Sequence, residues 1–321
     1  MDKEVDKAGL TGRERQLEKL RRDCGPEFLT ALNDPKTIEI VLNSDGVLWQ
    51  ERLGEKMRRI GEMKGPRAEA IIRTVASMLN AVVRWDNPLL EGEFPLDGSR
   101  FAAQLPPIVG APTFALRKKA SAVFTLAQYV AAGIMAEAQR QILQEGVRNH
   151  RNILVIGGTG SGKTTLINGL IHEMTESAPD ERIIIIEDTG EIQCAARNAV
   201  KLHTTLTVSM TQLLRTTLRM RPDRILVGEV RGPEALDLLM AWNTGHEGGI
   251  ATLHANNARA GLDRLRMLIT MHPESPEGIE PLIAEAVHVI VHIAKTEEGR
   301  VIKEILSIKG YREGEYQTQQ L

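Results

Sequence analysis

Aromatic side chains are scarce in this chain. Phe, Trp and Tyr make up 3% of its 321 residues, so a stacking platform for single-stranded nucleic acid has little to be built from. An excess of one charge is missing too: 40 Lys and Arg stand against 42 Asp and Glu, a formal net charge of -2. That balance argues against a general grip on a phosphate backbone, and sequence-specific nucleic-acid binding is not expected. Cysteine is nearly absent. Cys24 and Cys194 stand alone, with no C-x-x-C pair, which points to a reduced, cytoplasmic compartment. No run approaches the length of a membrane span, and M-D-K-E-V-D-K-A-G-L at the start lacks the apolar stretch of a secretory leader. Any membrane role is therefore expected to be peripheral or through partners.

What is present is organised around residues 152–167, N-I-L-V-I-G-G-T-G-S-G-K-T-T-L-I. Ile153 to Ile156 suit one short buried strand. Gly157, Gly158, Thr159, Gly160, Ser161, Gly162, Lys163 and Thr164 fit G-x-x-x-x-G-K-[ST] without mismatch. Leu166, Ile167, Leu170 and Ile171 then recur at helical spacing. Each part has a physical task. Glycines let successive N–H groups turn inward toward phosphate oxygens, and the helix adds the positive end of its dipole. Lys163 reaches the β- and γ-phosphates, and the Thr164 hydroxyl is placed to ligate Mg²⁺. With Thr165 added, residues 157–165 are the expected binding set for ATP.

Before this loop, residues 1–36 read as a helical extension. Leu10, Leu17, Leu20 and Cys24 form a narrow seam among Arg13, Arg15, Lys19, Arg21 and Arg22. Such a helix packs on a partner, lies on an anionic membrane, or stays solvated with a thin core-facing stripe. Residues 37–125 read as a small α+β domain: a hairpin turning at Ser44-Asp45-Gly46, a helix over 67–83, and strands at 100–105 and 113–116. Residues 126–150 are expected as a linker helix. From 151 to 321, apolar runs at 182–186, 224–227, 250–253 and 287–293 alternate with helical stretches. That alternation predicts an α/β domain with a mostly parallel, doubly wound sheet. Residues 301–308 suit a last strand, and the polar residues 312–321 are expected to fray.

Two strand ends supply acids. Ile183–Ile186 runs into Glu187-Asp188-Thr189-Gly190-Glu191, and Ile225–Val227 runs into Gly228-Glu229. Carboxylates at the carboxyl ends of parallel strands sit where such sheets bind ligands. Glu187 and Glu229 are thus candidates to hold metal and to activate water, with Glu229 preferred. A pair of histidines eight residues apart, His246 and His254, with no cysteine nearby is poor zinc spacing.

Four stretches in order, G-G-T-G-S-G-K-T-T, E-D-T-G-E-I, L-R-M-R-P-D-R-I-L-V-G-E-V-R and T-G-H-E-G-G-I-A-T-L-H-A-N, resemble the secretion traffic ATPases. These are the hexameric motors of type IV and type II secretion and of type IV pili, and the likeness extends over about residues 37–310. Among them the conjugative branch of type IV secretion is the nearer match. The resemblance implies a RecA-like P-loop NTPase core behind a small N-terminal domain that clasps the nucleotide. It implies Mg²⁺ and water positioning for Glu187 and Glu229, nucleotide contact for Glu191, and γ-phosphate sensing for His246 and His254. It also implies arginines acting across subunits, with Arg100 and Arg117 preferred over Arg215, Arg219, Arg221 and Arg231. A homo-hexamer docked on inner-membrane secretion machinery follows from the same likeness. A pilus or type II motor, and a docking module that binds ATP with little turnover, are the alternatives.

Overall fold

A computed structural model describes residues 11–52, 55–119, 123–205 and 207–321. The chain divides into two compact units, residues 1–121 and 122–321.

In the first unit, α1 (Gly12–Asn33) opens at Thr11, whose hydroxyl accepts from the Glu14 N–H while Glu14 reaches back to the Thr11 N–H. It bends at Gly25, whose φ of 77° is open to glycine, just before Pro26. Its apolar seam turns inward. Leu20, Cys24, Phe28 and Leu32 are buried, so that face covers the unit's own core and is not presented to a membrane. Leu10 lies outside the described residues. The strands β1 (Thr37–Leu42), β2 (Val47–Arg52), β3 (Arg58–Glu62), β4 (Leu89–Glu93), β5 (Arg100–Gln104) and β6 (Thr113–Arg117) surround α2 (Gly65–Met78) in sequence. Among the described residues they form one antiparallel sheet in the order β3-β2-β1-β6-β5-β4. Four of the chain's five phenylalanines, Phe28, Phe94, Phe101 and Phe114, meet here with ring centroids 5.3–5.9 Å apart. Each such pair contributes about 0.5–1.5 kcal/mol beyond its buried area. These four phenylalanines are spent on a core, whereas Trp85 and Phe124 are exposed.

In the second unit, residues 126–150 are two helices, α3 (Leu126–Ala131) and α4 (Glu137–Arg148), where the sequence suggested one linker helix. A tight turn at Gly133, φ 68°, separates them. Next come β7 (Ile153–Ile156), α5 (Lys163–Ser177), β8 (Ile183–Glu187), β9 (Ala199–His203), α6 (Met210–Thr217), β10 (Arg224–Val227) and α7 (Glu234–Trp242). They are followed by β11 (Ile250–Leu253), α8 (Ala258–Thr270), α9 (Glu280–Ala286), β12 (Val289–Thr296), β13 (Gly299–Arg312) and β14 (Glu315–Gln320). The sheet runs β14-β13-β12-β7-β11-β10-β8-β9, parallel from β12 to β9 with an antiparallel edge. Period-two alternation divides each central strand between two cores. Leu154, Ile156, Ile184 and Ile186 face one, and Ile153, Val155, Ile183 and Ile185 face the other. Helices cover both faces, as a doubly wound sheet requires. Residues 315–320, expected to fray, pair with β13 as an edge strand, and Tyr316 packs on Tyr311 at 5.1 Å. Polar composition hid this strand because an edge buries almost none of its side chains.

Candidate nucleotide-hydrolysis site

The loop after β7 leads into α5 through Gly162, whose φ of 101° is the left-handed conformation that glycine tolerates. Unlike α6 and α8, which Ser209 and Asn257 cap, α5 receives no side-chain cap at its first turn. Its leading N–H groups and dipole are thus left for an anion. Lys163 is buried, and its Nζ donates to the Gly157 and Gly158 carbonyls at 2.9 and 3.1 Å. The ammonium is folded into the cradle that a β- and γ-phosphate would fill.

Parallel register brings the other strand ends to this same edge. Leu253 pairs with Ile156, and Val227 lies level with Ala251 and Ile186. Hence Glu229, His254 and Asp188 arrive beside the loop from three different strands. His254 Nε2 lies 2.7 Å from Glu229 Oε1, while its Nδ1 lies 3.4 Å from Lys163 Nζ. Burial, then the Lys163 ammonium, hold the imidazole below its ordinary pKa range. The 2.7 Å approach to Glu229 is a close polar contact without hydrogen-bond alignment, and Lys163 Nζ is shared between the ring nitrogens, at 3.4 Å from Nδ1 and 3.5 Å from Nε2. On the other oxygen, Arg231 forks onto Glu229 Oε2 through Nε and a terminal nitrogen, and it reaches Asp188 Oδ2 at 3.0 Å. Lys163, His254, Glu229, Arg231 and Asp188 make one unbroken polar chain. It borders a cleft of about 330 Å³ that Asp188, Thr204, Ser209, Glu229, Arg231 and Glu234 line.

Glu187 has a different task. It is buried, and its Oε2 accepts from the Glu191 and Ile192 N–H groups at 2.8 and 3.0 Å. Asn168 on α5 grips the next residue, accepting from the Gln193 N–H at 2.9 Å. Together they pin the 191–193 backbone. Burial pushes the Glu187 carboxyl up to about 7, against the pull of those N–H groups and of Lys201. Its Oε1 is buried with no hydrogen-bond partner among the described residues, as are Ser161 Oγ and Glu229 Oε1. The donor set at this edge is a threonine hydroxyl with carboxylates, the hard oxygens that suit Mg²⁺, and orphaned buried oxygens beside an uncapped helix fit a bound metal-phosphate.

Residues 96–306 match the family model for type II/IV secretion system proteins. The chain belongs to that family. It is 46% identical over 310 residues to the conjugal transfer protein TrbB of Rhizobium radiobacter, covering 97% of this chain and 95% of that one. To the type IV secretion system protein PtlH of Bordetella pertussis it is 33% identical, over 86% and 90% of the two chains. It is thus an ATP-binding secretion traffic ATPase of the TrbB type. The solved structure of the pilus retraction motor PilT with bound ADP superposes with a TM-score of 0.63 at 21% identity, covering 87% of this chain and 81% of that one. The Legionella pneumophila ATPase DotB gives 0.59 at 19%, over 93% and 81%. Both share the RecA-like fold.

In this secretion ATPase the two histidines of the last motif part company. His254 follows β11 and joins the site, but His246 precedes β11 and stands at the opposite end of the sheet. The four residues of β11 alone span about 13 Å, so γ-phosphate sensing by His246 within one chain is not what the structure provides. Glu191 enters through its backbone, which Glu187 holds. Arg100 and Arg117, in the first unit, are direct cross-strand partners on β5 and β6. Glu93 and Glu39 flank them in the same row, opposite Arg100 and Arg117 respectively. Sequence reasoning missed Asn168 as a functional residue. Its signal was a polar residue set amid Leu166, Ile167, Leu170 and Ile171. Arg231, weighed only as an arginine finger, instead binds the acid in its own chain.

Proposed function

We propose that this chain is a Mg²⁺-dependent ATPase that works as a cytoplasmic homo-hexamer on inner-membrane type IV secretion machinery. There ATP-driven domain motion would power conjugative transfer, through pilus assembly or substrate export. The Lys163–His254–Glu229 chain at the mouth of an uncapped P-loop helix carries this reading. Lys163 leaves the loop carbonyls for phosphate oxygens, and Glu229, freed on one oxygen, orients the attacking water. His254 relays the state of one to the other, since it contacts both. Thr164 and the carboxylates at this edge would hold Mg²⁺, which when bound neutralises charge on the phosphates. Arg100 and Arg117 are neighbours on β5 and β6 with Glu93 and Glu39 opposite them, and the likeness to the traffic ATPases puts contributing arginines at these positions. That supports their role as donors to a phosphoryl group, each worth up to about 10³-fold or more in rate where arginine fingers have been characterised.

A second reading, a docking module gated by nucleotide with little turnover, is favoured by one observation: Arg231 already holds Glu229 Oε2, and His254 stands 2.7 Å from Oε1. Steady-state hydrolysis and native mass of the wild type, Lys163→Ala and Glu229→Gln separate the two. A mass near six subunits, with turnover lost in both variants, supports the motor. A chain that binds ATP and never hydrolyses it, even with lipid added, establishes the docking module instead.

A further inference from the structure

Among the described residues each sheet has two edge strands, whose outer backbone groups meet no further strand. Charged side chains along such an edge keep it from pairing with another chain. In the first unit β3 carries Arg58, Arg59 and Glu62, and β4 carries Glu91 and Glu93. In the second unit β9 carries Lys201. β14 is the exception. After Glu315 it reads Tyr-Gln-Thr-Gln-Gln, without Asp, Glu, Lys, Arg or Pro, and residues 317–320 are exposed. The ladder with β13 fixes which way its backbone points. The Leu321 N–H donates to the Ile305 carbonyl at 2.9 Å. By the alternation of an antiparallel ladder, the backbone groups of Gln319 and Gln317 turn to β13 as well, while those of Gln320, Thr318 and Tyr316 turn outward.

We propose that this edge pairs antiparallel with the β14 edge of a second copy of the chain, about a two-fold axis at Thr318. A two-fold axis perpendicular to a sheet sets one residue opposite its own copy. Thr318 is the middle one of the three outward residues, so an axis there engages all of them. Thr318 then exchanges both backbone hydrogen bonds with its copy, and Tyr316 does so with Gln320. Gln317 faces Gln319, and Glu315 faces Leu321. No two like charges meet in this ladder, and a Thr–Thr pair is a favourable cross-strand neighbour. The contact is isologous, so it joins two chains and stops. The ring proposed above is built from heterologous contacts, so this one links a chain of one ring to a chain of a second. It does not depend on the nucleotide site, since β13 and β12 stand between β14 and β7.

Native mass over a dilution series of the full, nucleotide-free chain tests the pairing. Thr318→Lys and Thr318→Glu each set like charges face to face on the axis, and each is expected to halve the mass that the wild type reaches. Mixed in equal amounts, the two variants set Lys against Glu and should recover the wild-type mass, which also shows that both are folded. Thr318→Cys should yield a disulfide-linked dimer on mild oxidation, because a hydrogen-bonded antiparallel pair holds its Cα atoms about 5.5 Å apart. Gln317→Cys, whose own copy stands two residues further along, should not. A wild type with the same mass as both charge variants overturns the pairing and leaves the edge to a strand of another protein. A Lys–Glu mixture no heavier than either variant alone overturns it too, as does equal crosslinking through positions 317 and 318.

Discussion

The two ends of the second unit's sheet carry similar numbers of polar groups and use them in opposite ways. At the carboxyl ends, side chains mostly meet side chains, in the row Lys163, His254, Glu229, Arg231 and Asp188, with Lys163 also donating to the loop carbonyls of Gly157 and Gly158. At the amino ends, side chains bind backbone. Asn152 Oδ1 accepts from the Gly248 and Gly249 N–H groups, and its Nδ2 donates to the Ala286 carbonyl at 2.7 Å. Arg224, 1% exposed, pairs with Glu181 at 2.5 Å and donates to the Val147 and Gly248 carbonyls. Trp242 Nε1 donates to the Ile225 carbonyl at 3.1 Å, and a Cβ on Gly249 would collide with that pair. Backbone partners cannot leave without unfolding the strand they belong to, whereas side-chain partners exchange when a ligand arrives. One end is framework and the other is machinery.

If this contrast holds, removing a framework group costs stability and spares chemistry. Arg224→Met takes a donor from Glu181 Oε2 and from the Gly248 carbonyl, while His150 keeps Glu181 Oε1 and the Val147 carbonyl, and should lower the unfolding free energy by about 3 kcal/mol. Turnover per folded molecule should stay within about threefold. Denaturant melts read alongside hydrolysis check both parts, and an intact melt with lost turnover would break the comparison. Glu187 tests the boundary between the two behaviours, because it stands at the machinery end yet holds backbone. Its folded pKa, raised by burial to about 7, lies above the ordinary glutamate value of 4.5. The folded state therefore binds more protons than the unfolded state between those values. Its contribution is fully present below pH 4.5 and is lost as pH rises toward 7, by about 3 kcal/mol in all. In nucleotide-free protein with chelator, Glu187→Gln should flatten the stability profile over that window relative to wild type. Parallel profiles would mean that the carboxyl is ionised throughout. The finest test is the pair of histidines. His254→Ala should lower kcat about tenfold or more by uncoupling Glu229 from Lys163, and His246→Ala should change it less than about twofold. Equal losses would return His246 to the site.

Much of this contrast was legible in advance at the machinery end and little of it at the other. The glycine loop, the acids after two buried strands and the order of four motifs are contiguous in sequence, so spacing alone located them. The apolar runs within β7, β8, β10 and β11 were readable because a parallel strand buried on both faces has no polar alternation. β3, β4, β9 and β14 escaped, being edge or near-edge strands with Arg, Glu, Lys or Gln along them. The framework escaped for another reason: Asn152 reaches Gly248 across 96 residues and Arg224 reaches Val147 across 77. No local pattern announces a pairing that only the closed sheet creates. His246 and His254 share one contiguous motif, but β11 carries the two to opposite ends of the sheet, a separation that spacing alone does not display.

Trp242 is 1% exposed at the foot of β10, the strand that ends at Glu229. The chain's two other tryptophans, Trp49 and Trp85, belong to the first unit. Light emitted by Trp242 therefore reports on the second unit's interior alone. With Trp49 and Trp85 replaced by phenylalanine, the protein carries a single native tryptophan, bonded to the strand that leads to Glu229, the acid proposed to orient water.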